Sequence, residues 1–320
     1  MDQEKTTALE VAIVRTLAWF SLFEYPLTAF ELWKYLYQPD KKYSLIEVEK
    51  TLSESQRLTE KINFERGFYF WPKNKDDDFV SVHQTKFLDA AKKYKKLRRA
   101  AYYFSLLPFV RAVFTCNNLD WHNTAPGSDI DLFIVVKPGT IWLSRLLLVA
   151  PFALFKKRPH PYSTPLQPRG RGWGGGADPF CFSFFTTADN LNFKNLLLPE
   201  SDPYFVYWLA SLMPIFDREE IQKKIWQENS WLKEILPNVF PRNIHEEIQP
   251  KHLWVLPLDF LKMFEDAARY WQQKFLPCEL RDTANLDSRV VISEQMLKFH
   301  TNDRRQHFYD EWQKRLAKIL

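Results

Sequence analysis

Glycine is scarce in this chain of 320 residues: there are eight, five of them crowded at Gly170, Gly172, Gly174, Gly175 and Gly176, with Gly67, Gly127 and Gly139 left for the rest. Neither GxGxxG nor GxxxxGK[ST] occurs, which argues against a Rossmann dinucleotide site and against a P-loop. Cysteine is scarce too. Cys116, Cys181 and Cys278 stand far apart, with no CxxC pair and no disulfide framework, and this predicts a reducing cytoplasm. Long apolar runs are missing. The best is Ile141–Phe155, about 15 residues interrupted by Arg145, short of the ~20 needed to cross a bilayer. It predicts a buried helix and no membrane partner. Early acidic residues with no apolar stretch behind them predict no signal peptide.

What is present is a globular composition, 46% hydrophobic, 26% charged and 16% aromatic, long enough for two or three domains with cores of their own. The formal net charge of +5 is local. Residues 83–105 alone carry +6, from Lys86, Lys92, Lys93, Lys95, Lys96, Arg98 and Arg99 against Asp89. This stretch, part of a basic helix over 83–106, could follow a nucleic-acid backbone through counterion release. The competing reading is a solvated helix face, since Tyr94, Leu97 and Ala101 supply an inner stripe.

Hydropathy patterning predicts an α+β chain in three parts. Leu9, Ile13, Leu17 and Phe20 recur at helical spacing until Pro26. Two capping boxes follow, Thr28-x-x-Glu31 and Ser44-x-x-Glu47, each opening a helix. A hairpin over Lys61–Trp71 turns at Glu65-Arg66-Gly67. Three helices and a hairpin in residues 1–75 resemble a winged helix-turn-helix. Its third helix, Ser44–Arg57, carries Glu47, Glu49 and Glu54 against Lys50 and Arg57, a poor match for a phosphate backbone. That favours protein contact over DNA regulation. Residues 76–200 read as a small mixed α/β domain with strands at Val110–Thr115, Ile130–Val136 and Phe180–Thr186, interrupted by a Pro/Gly-rich loop at 156–179. Residues 201–320 read as a helical C-terminal domain with nearly balanced charge.

The stretch that carries chemistry is Ser128-Asp129-Ile130-Asp131, opening Leu132-Phe133-Ile134-Val135-Val136. On a strand, residues i and i+2 share a face, so Asp129 and Asp131 project together while Ile130 enters the core. Two adjacent carboxylates repel unless a cation or a proton lies between them. Hard oxygen ligands of this kind, completed by substrate phosphates, suit Mg²⁺. The competing reading is a pair of idle acids at an exposed strand mouth.

Val113-Phe114-Thr115-Cys116-Asn117-Asn118, then Asn123, then Ser128-Asp129-Ile130-Asp131 resembles the DNA polymerase β-type nucleotidyltransferase superfamily, in which a strand ends in Gly-Ser, a helix begins and an Asp-x-Asp strand follows. Phe23-Glu24-Tyr25-Pro26-Leu27-Thr28 and the region from Ile292 to Phe299-His300 resemble bacterial nucleotidyltransferase-like proteins with an N-terminal winged helix. The resemblance implies Mg²⁺ on Asp129 and Asp131, a nucleoside triphosphate as donor, and an acceptor hydroxyl. Asn117 and Asn118 fall where Gly and Ser are expected. Asparagine tolerates the left-handed region and its amide can donate, so the pair either binds phosphate, with Ser128 alongside, or marks a lost site. The resemblance also implies a third carboxylate on a neighbouring strand as general base. Phe180–Thr186 contains no acid, which leaves Asp178, just before it, to take that role. Two functions follow: Mg²⁺-dependent nucleotidyl transfer, or a catalytically inactive protein of the same fold that binds and regulates.

Overall fold

The computed structural model describes residues 7–71, 78–154, 178–243 and 257–319. Helix α1 (Ala8–Phe20) starts on a capping box between Thr7 and Glu10. A short strand β1 (Leu27–Thr28) leads into α2 (Ala29–Lys34), and α3 (Leu45–Glu54) follows. Both helices start on the capping boxes that the sequence announces, Thr28 with Glu31 and Ser44 with Glu47. Helix α4 (Gln56–Lys61) precedes the hairpin β2 (Asn63–Glu65) and β3 (Phe68–Phe70). Arg66 and Gly67 both take positive φ, 52° and 87°, the geometry of a tight hairpin turn that matches strand twist. The three strands pair antiparallel in the order β1-β3-β2.

Helix α5 (Phe79–Leu106) is long, capped by Asp78 and ended before Pro108. Strands β4 (Val110–Thr115) and β5 (Ile130–Val136) fall where the apolar runs place them. Helix α6 (Ile141–Leu154) and strand β6 (Phe180–Thr187) complete this part. Most of the Pro/Gly-rich stretch 156–179 lies outside the described residues; Asp178 and Pro179 do not.

The C-terminal region corrects the expectation of a purely helical domain. It contains α7 (Pro203–Ser211), β7 (Met213–Asp217), α8 (Ile221–Glu228), α9 (Leu232–Ile235), α10 (Glu265–Lys274), α11 (Cys278–Asp282), the hairpin strands β8 (Val290–Ile292) and β9 (Met296–Phe299), and α12 (Arg305–Ile319). Its three strands join the main sheet, whose order is β7-β4-β5-β6-β9-β8. Only β5 and β6 run parallel; the other pairs are antiparallel. Short strands such as β8 lack the length to show a period of two, and their pairing is non-local, so helical composition around them hides them.

The sheet has a buried core on each face. On one, Leu97, Ala101 and Phe104 of α5 and Trp142 and Leu148 of α6 pack on Ile130, Leu132, Ile134 and Phe185. On the other, Phe114, Phe133 and Phe184 share one cluster with α1, α2, α7 and α12. The N-terminal helices therefore belong to the same core as the sheet. Burial on both faces explains why β5 is apolar along nearly its whole length. Among the described residues no helix is long and apolar enough to cross a membrane.

Candidate functional site

The end of β4 and the start of β5 meet because the two strands pair antiparallel, Thr115 opposite Leu132. Residues 117–122 between them form turns, where the resemblance implies a helix. Asn117 takes φ 59°, the left-handed region in which asparagine is among the best tolerated non-glycine residues. Gly127 takes φ 78° with open space around its Cα, so backbone freedom is what that position requires.

The sheet separates the predicted residues onto two sides. Asp131 shares parity with Phe133, on the face covered by α7 and the N-terminal helices, and Asp129 lies one residue before the strand begins. Ser128, before the strand, meets α5 through Lys93, on the side of Ile130 and Leu132. There a fully buried ammonium group gathers everything polar. Lys93 Nζ donates to Ala125 O and Ser128 O, each at 2.8 Å, and to Ser128 Oγ at 2.6 Å. It also pairs with Asp89 at 3.3 Å and Asp178 at 3.5 Å. Asp178 sits at φ 60°, and its carboxylate accepts from Gly127 N at 3.2 Å. The two predicted site residues Ser128 and Asp178 are thus brought together by Lys93, away from the face of β5 that carries Asp131.

The surroundings of Asp131 are of another kind. The Asn117 side chain and the Cys181 thiol are hydrogen-bonded to its carboxylate, and both are neutral. Burial pushes its pKa above the usual carboxylate value; the two hydrogen bonds and the more distant Lys93 only partly offset this. Asn117 in turn accepts from Tyr204 Oη on α7 at 3.5 Å. Asn118 is exposed, and its carbonyl accepts from Asn123 N at 2.8 Å.

Strand β6 places Cys181 directly opposite Asp131. Immediately after that pair, Leu132 on β5 faces two residues, Phe182 and Ser183, before register resumes at Phe133 and Phe184. Such a bulge re-aims side chains. Ser183 hydrogen-bonds Cys181 and also meets His300 Nε2 at 3.3 Å, at the end of β9. Burial lowers the His300 pKa to about 3, so this imidazole is neutral at ordinary pH, and its Nδ1 has no partner among the described residues. Asn117, Asp131, Cys181, Ser183 and His300 thus form a polar line across three strands and a turn.

A cavity of about 60 Å³ adjoins Asn117 and Asn118, walled by rings including Trp19, Phe20, Trp121 and Tyr207. At ~10–15 Å³ per water it holds a few waters, and it is less than half of the ~150 Å³ that accommodates benzene. It is not a ready pocket for a nucleobase.

The donor set fits Mg²⁺. Two carboxylates two residues apart at the start of β5, one of them hydrogen-bonded by neutral groups, match a cation that takes one or two protein carboxylates and completes its shell with water and phosphate. The Cys181 thiol is a soft donor and does not belong to that shell. Among the described residues no group of three or more His, Cys, Asp or Glu is placed to hold a metal.

Lys93, Cys181, Tyr204 and His300 were not singled out by the sequence as site neighbours. The i, i+4 spacing of Asp89 and Lys93 is a legible signal for the first. For the others the signal is tertiary. Comparison of the chain with protein-family models, with curated proteins and with solved structures finds no match.

Proposed function

We propose that the chain is a nucleotidyltransferase-type protein that binds a nucleoside triphosphate with Mg²⁺ where β4 ends and β5 begins. The observation that supports this reading is Asp131 on β5, with Asp129 just before the strand, beside Asn117 in the left-handed conformation and hydrogen-bonded by the neutral Asn117 and Cys181 side chains. Mg²⁺, when bound, supplies charge neutralisation and polarises the phosphoryl oxygens. Asp129 and Asp131 would hold it. Asn117 orients Asp131 through its side chain, and Asn118, exposed at the same turn, is free to donate its amide to a phosphate. In the transfer reaction the acceptor hydroxyl oxygen bonds to the α-phosphorus, the bond to the bridging oxygen breaks, pyrophosphate leaves and the acceptor proton is released. The arrangement of α1–α3 followed by β2 and β3 supports a winged-helix reading of the N-terminal part, whose exposed Glu47, Glu49 and Glu54 favour a role other than DNA binding.

Cys181 favours a second reading. It faces Asp131 from β6, the neighbouring strand on which the proposed superfamily relationship calls for a third carboxylate and which contains none, while Asp178 is engaged by Lys93 and Gly127. On this reading the site binds nucleotide without transfer. Calorimetric titration of each nucleoside triphosphate with Mg²⁺ tests the binding: we expect saturable heat for the wild type and none for Asp129→Ala/Asp131→Ala, and no heat in the wild type would overturn both readings. Transfer of labelled nucleotide to RNA, protein or a small alcohol then separates turnover from binding alone.

A further inference from the structure

Seven basic residues crowd α5, and the structure divides them into groups with different work. Lys93 is consumed inside the protein by Asp89, Asp178 and the 125–128 turn. Lys86 is half-buried and pairs with Glu24 at 3.8 Å. Lys96 is half-buried, lies over the Phe180 ring and donates to Asp178 O. Lys92, Lys95, Arg98 and Arg99 are exposed, and none forms an ion pair with a described residue.

Leu88, Lys92, Lys95, Arg99 and Tyr102 follow one another at steps of four, three, four and three, so they fall on one stripe of the helix. All five are exposed, Leu88 at 63% and Tyr102 at 51%. The opposite face, Ala90, Tyr94, Leu97 and Ala101, is buried on the sheet. At 1.5 Å per residue the stripe runs about 21 Å. Exposed cations one helical turn apart repel one another, and no described acid forms an ion pair with them.

We propose that this stripe of α5 binds a single-stranded nucleic acid, with Lys92, Lys95 and Arg99 on successive phosphates and the exposed Tyr102 ring stacking on an unpaired base. Charge complementarity points to a polyanion of regularly spaced charges. A protruding aromatic ring at the end of the basic row favours an unpaired strand over a duplex, because every base offers a face to stack on. The proposal is independent of nucleotidyl transfer, since none of these residues contacts Asp129 or Asp131.

The test is fluorescence anisotropy of the whole protein with a labelled 20-nucleotide single strand of mixed sequence, titrated at several salt concentrations. Three phosphate contacts predict a salt slope near −2 for a single strand, from about −0.7 per contact. Lys92→Gln/Lys95→Gln/Arg99→Gln should weaken binding at least about tenfold at low salt and flatten the slope by about 2. Tyr102→Ala should weaken it with the slope unchanged. The charge-matched control Lys224→Gln/Lys233→Gln/Lys318→Gln, all exposed and on α8, α9 and α12, should bind as the wild type does. No binding by the wild type, a triple variant that binds as well as the control, or equal displacement by poly-glutamate would overturn the proposal. So would tighter binding to phosphatidylglycerol vesicles than to the strand, which would make the stripe a membrane contact. Mg²⁺–nucleotide binding by the triple variant, measured in parallel, keeps this outcome distinct from that of the β5 site.

Discussion

The two sides of β5 present similar acids in opposite states. On the α5 side, Asp89 and Asp178 share a resident cation, the buried ammonium of Lys93, which also satisfies two carbonyls and a hydroxyl of the 125–128 turn. On the other side Asp131 has an amide and a thiol for company, and burial raises its pKa. A half-buried acid with a built-in cation is a structural clasp. A half-buried acid whose hydrogen-bond partners are neutral is poised to gain a cation or a proton. The difference turns on one lysine, and it is the reason the proposed Mg²⁺ site is assigned to the Asp131 face.

The sharpest way to break the comparison is to remove the cation. Lys93→Met leaves Asp89, Asp178 and two carbonyls without their common partner, and breaking a buried pair from one side costs ~3–5 kcal/mol. Urea unfolding should show a loss of that size. A second consequence concerns Asp120, in the same β4–β5 connection. It is fully buried, its Oδ2 accepts from Ser211 Oγ at 2.5 Å, and its Oδ1 has no partner among the described residues. Burial pushes its pKa up to about 8. A carboxyl whose folded pKa lies above its unfolded value, near 4, contributes stability that is complete below pH 4 and lost as pH rises through about 8. Unfolding free energy should therefore fall by at least about 2 kcal/mol between pH 5 and pH 8, and Asp120→Asn should flatten the profile. An unchanged profile in that variant would assign the pH dependence elsewhere.

Asp131 sharpens the comparison with a smaller effect on stability. Its raised pKa gives the same sign, stability falling with rising pH, so Asp131→Asn should cost less than about 1 kcal/mol at pH 7 or stabilise slightly, while abolishing Mg²⁺–nucleotide binding. Thermal unfolding with and without Mg²⁺ and nucleotide reads both. A variant as damaging as Lys93→Met would show that the two sides are alike after all. At Asn117 the effect is one of backbone conformation. Asn117→Ala should lose ~1–2 kcal/mol for a Cβ residue in the left-handed region without an amide to compensate. Asn117→Gly relieves the backbone and should be more stable than the alanine variant by about 1 kcal/mol, measured by the same melts.

Local signals read well from the sequence. The capping boxes at Thr28 and Ser44, the Arg66-Gly67 turn, and the strands opening at Val110, Ile130 and Phe180 all fall where spacing and residue type put them. Each depends on residues within a few positions of one another. The strands β7, β8 and β9 escaped, because a three- to five-residue strand is stabilised by its neighbours in the sheet, and those neighbours are far away in the chain. The placement of Cys181 against Asp131 and of His300 against Ser183 escaped for the same reason, since strand order and a bulge determine it.

By itself the sequence determined that Asp131 stands on the strand Ile130–Val136, on the opposite face from Ile130 and Leu132, because a strand alternates whatever surrounds it. It determined also that α5 is basic and that the chain lacks the glycines of common phosphate loops. Only the tertiary structure decided which acids have a cation already and which do not. Charge on a side chain is fixed by covalent chemistry, but its partners and its solvation are set by what the fold brings within a few ångströms. Asp178 and Ser128 were given to Lys93, and Asp131 to a thiol and an amide, by packing that no stretch of the chain encodes alone.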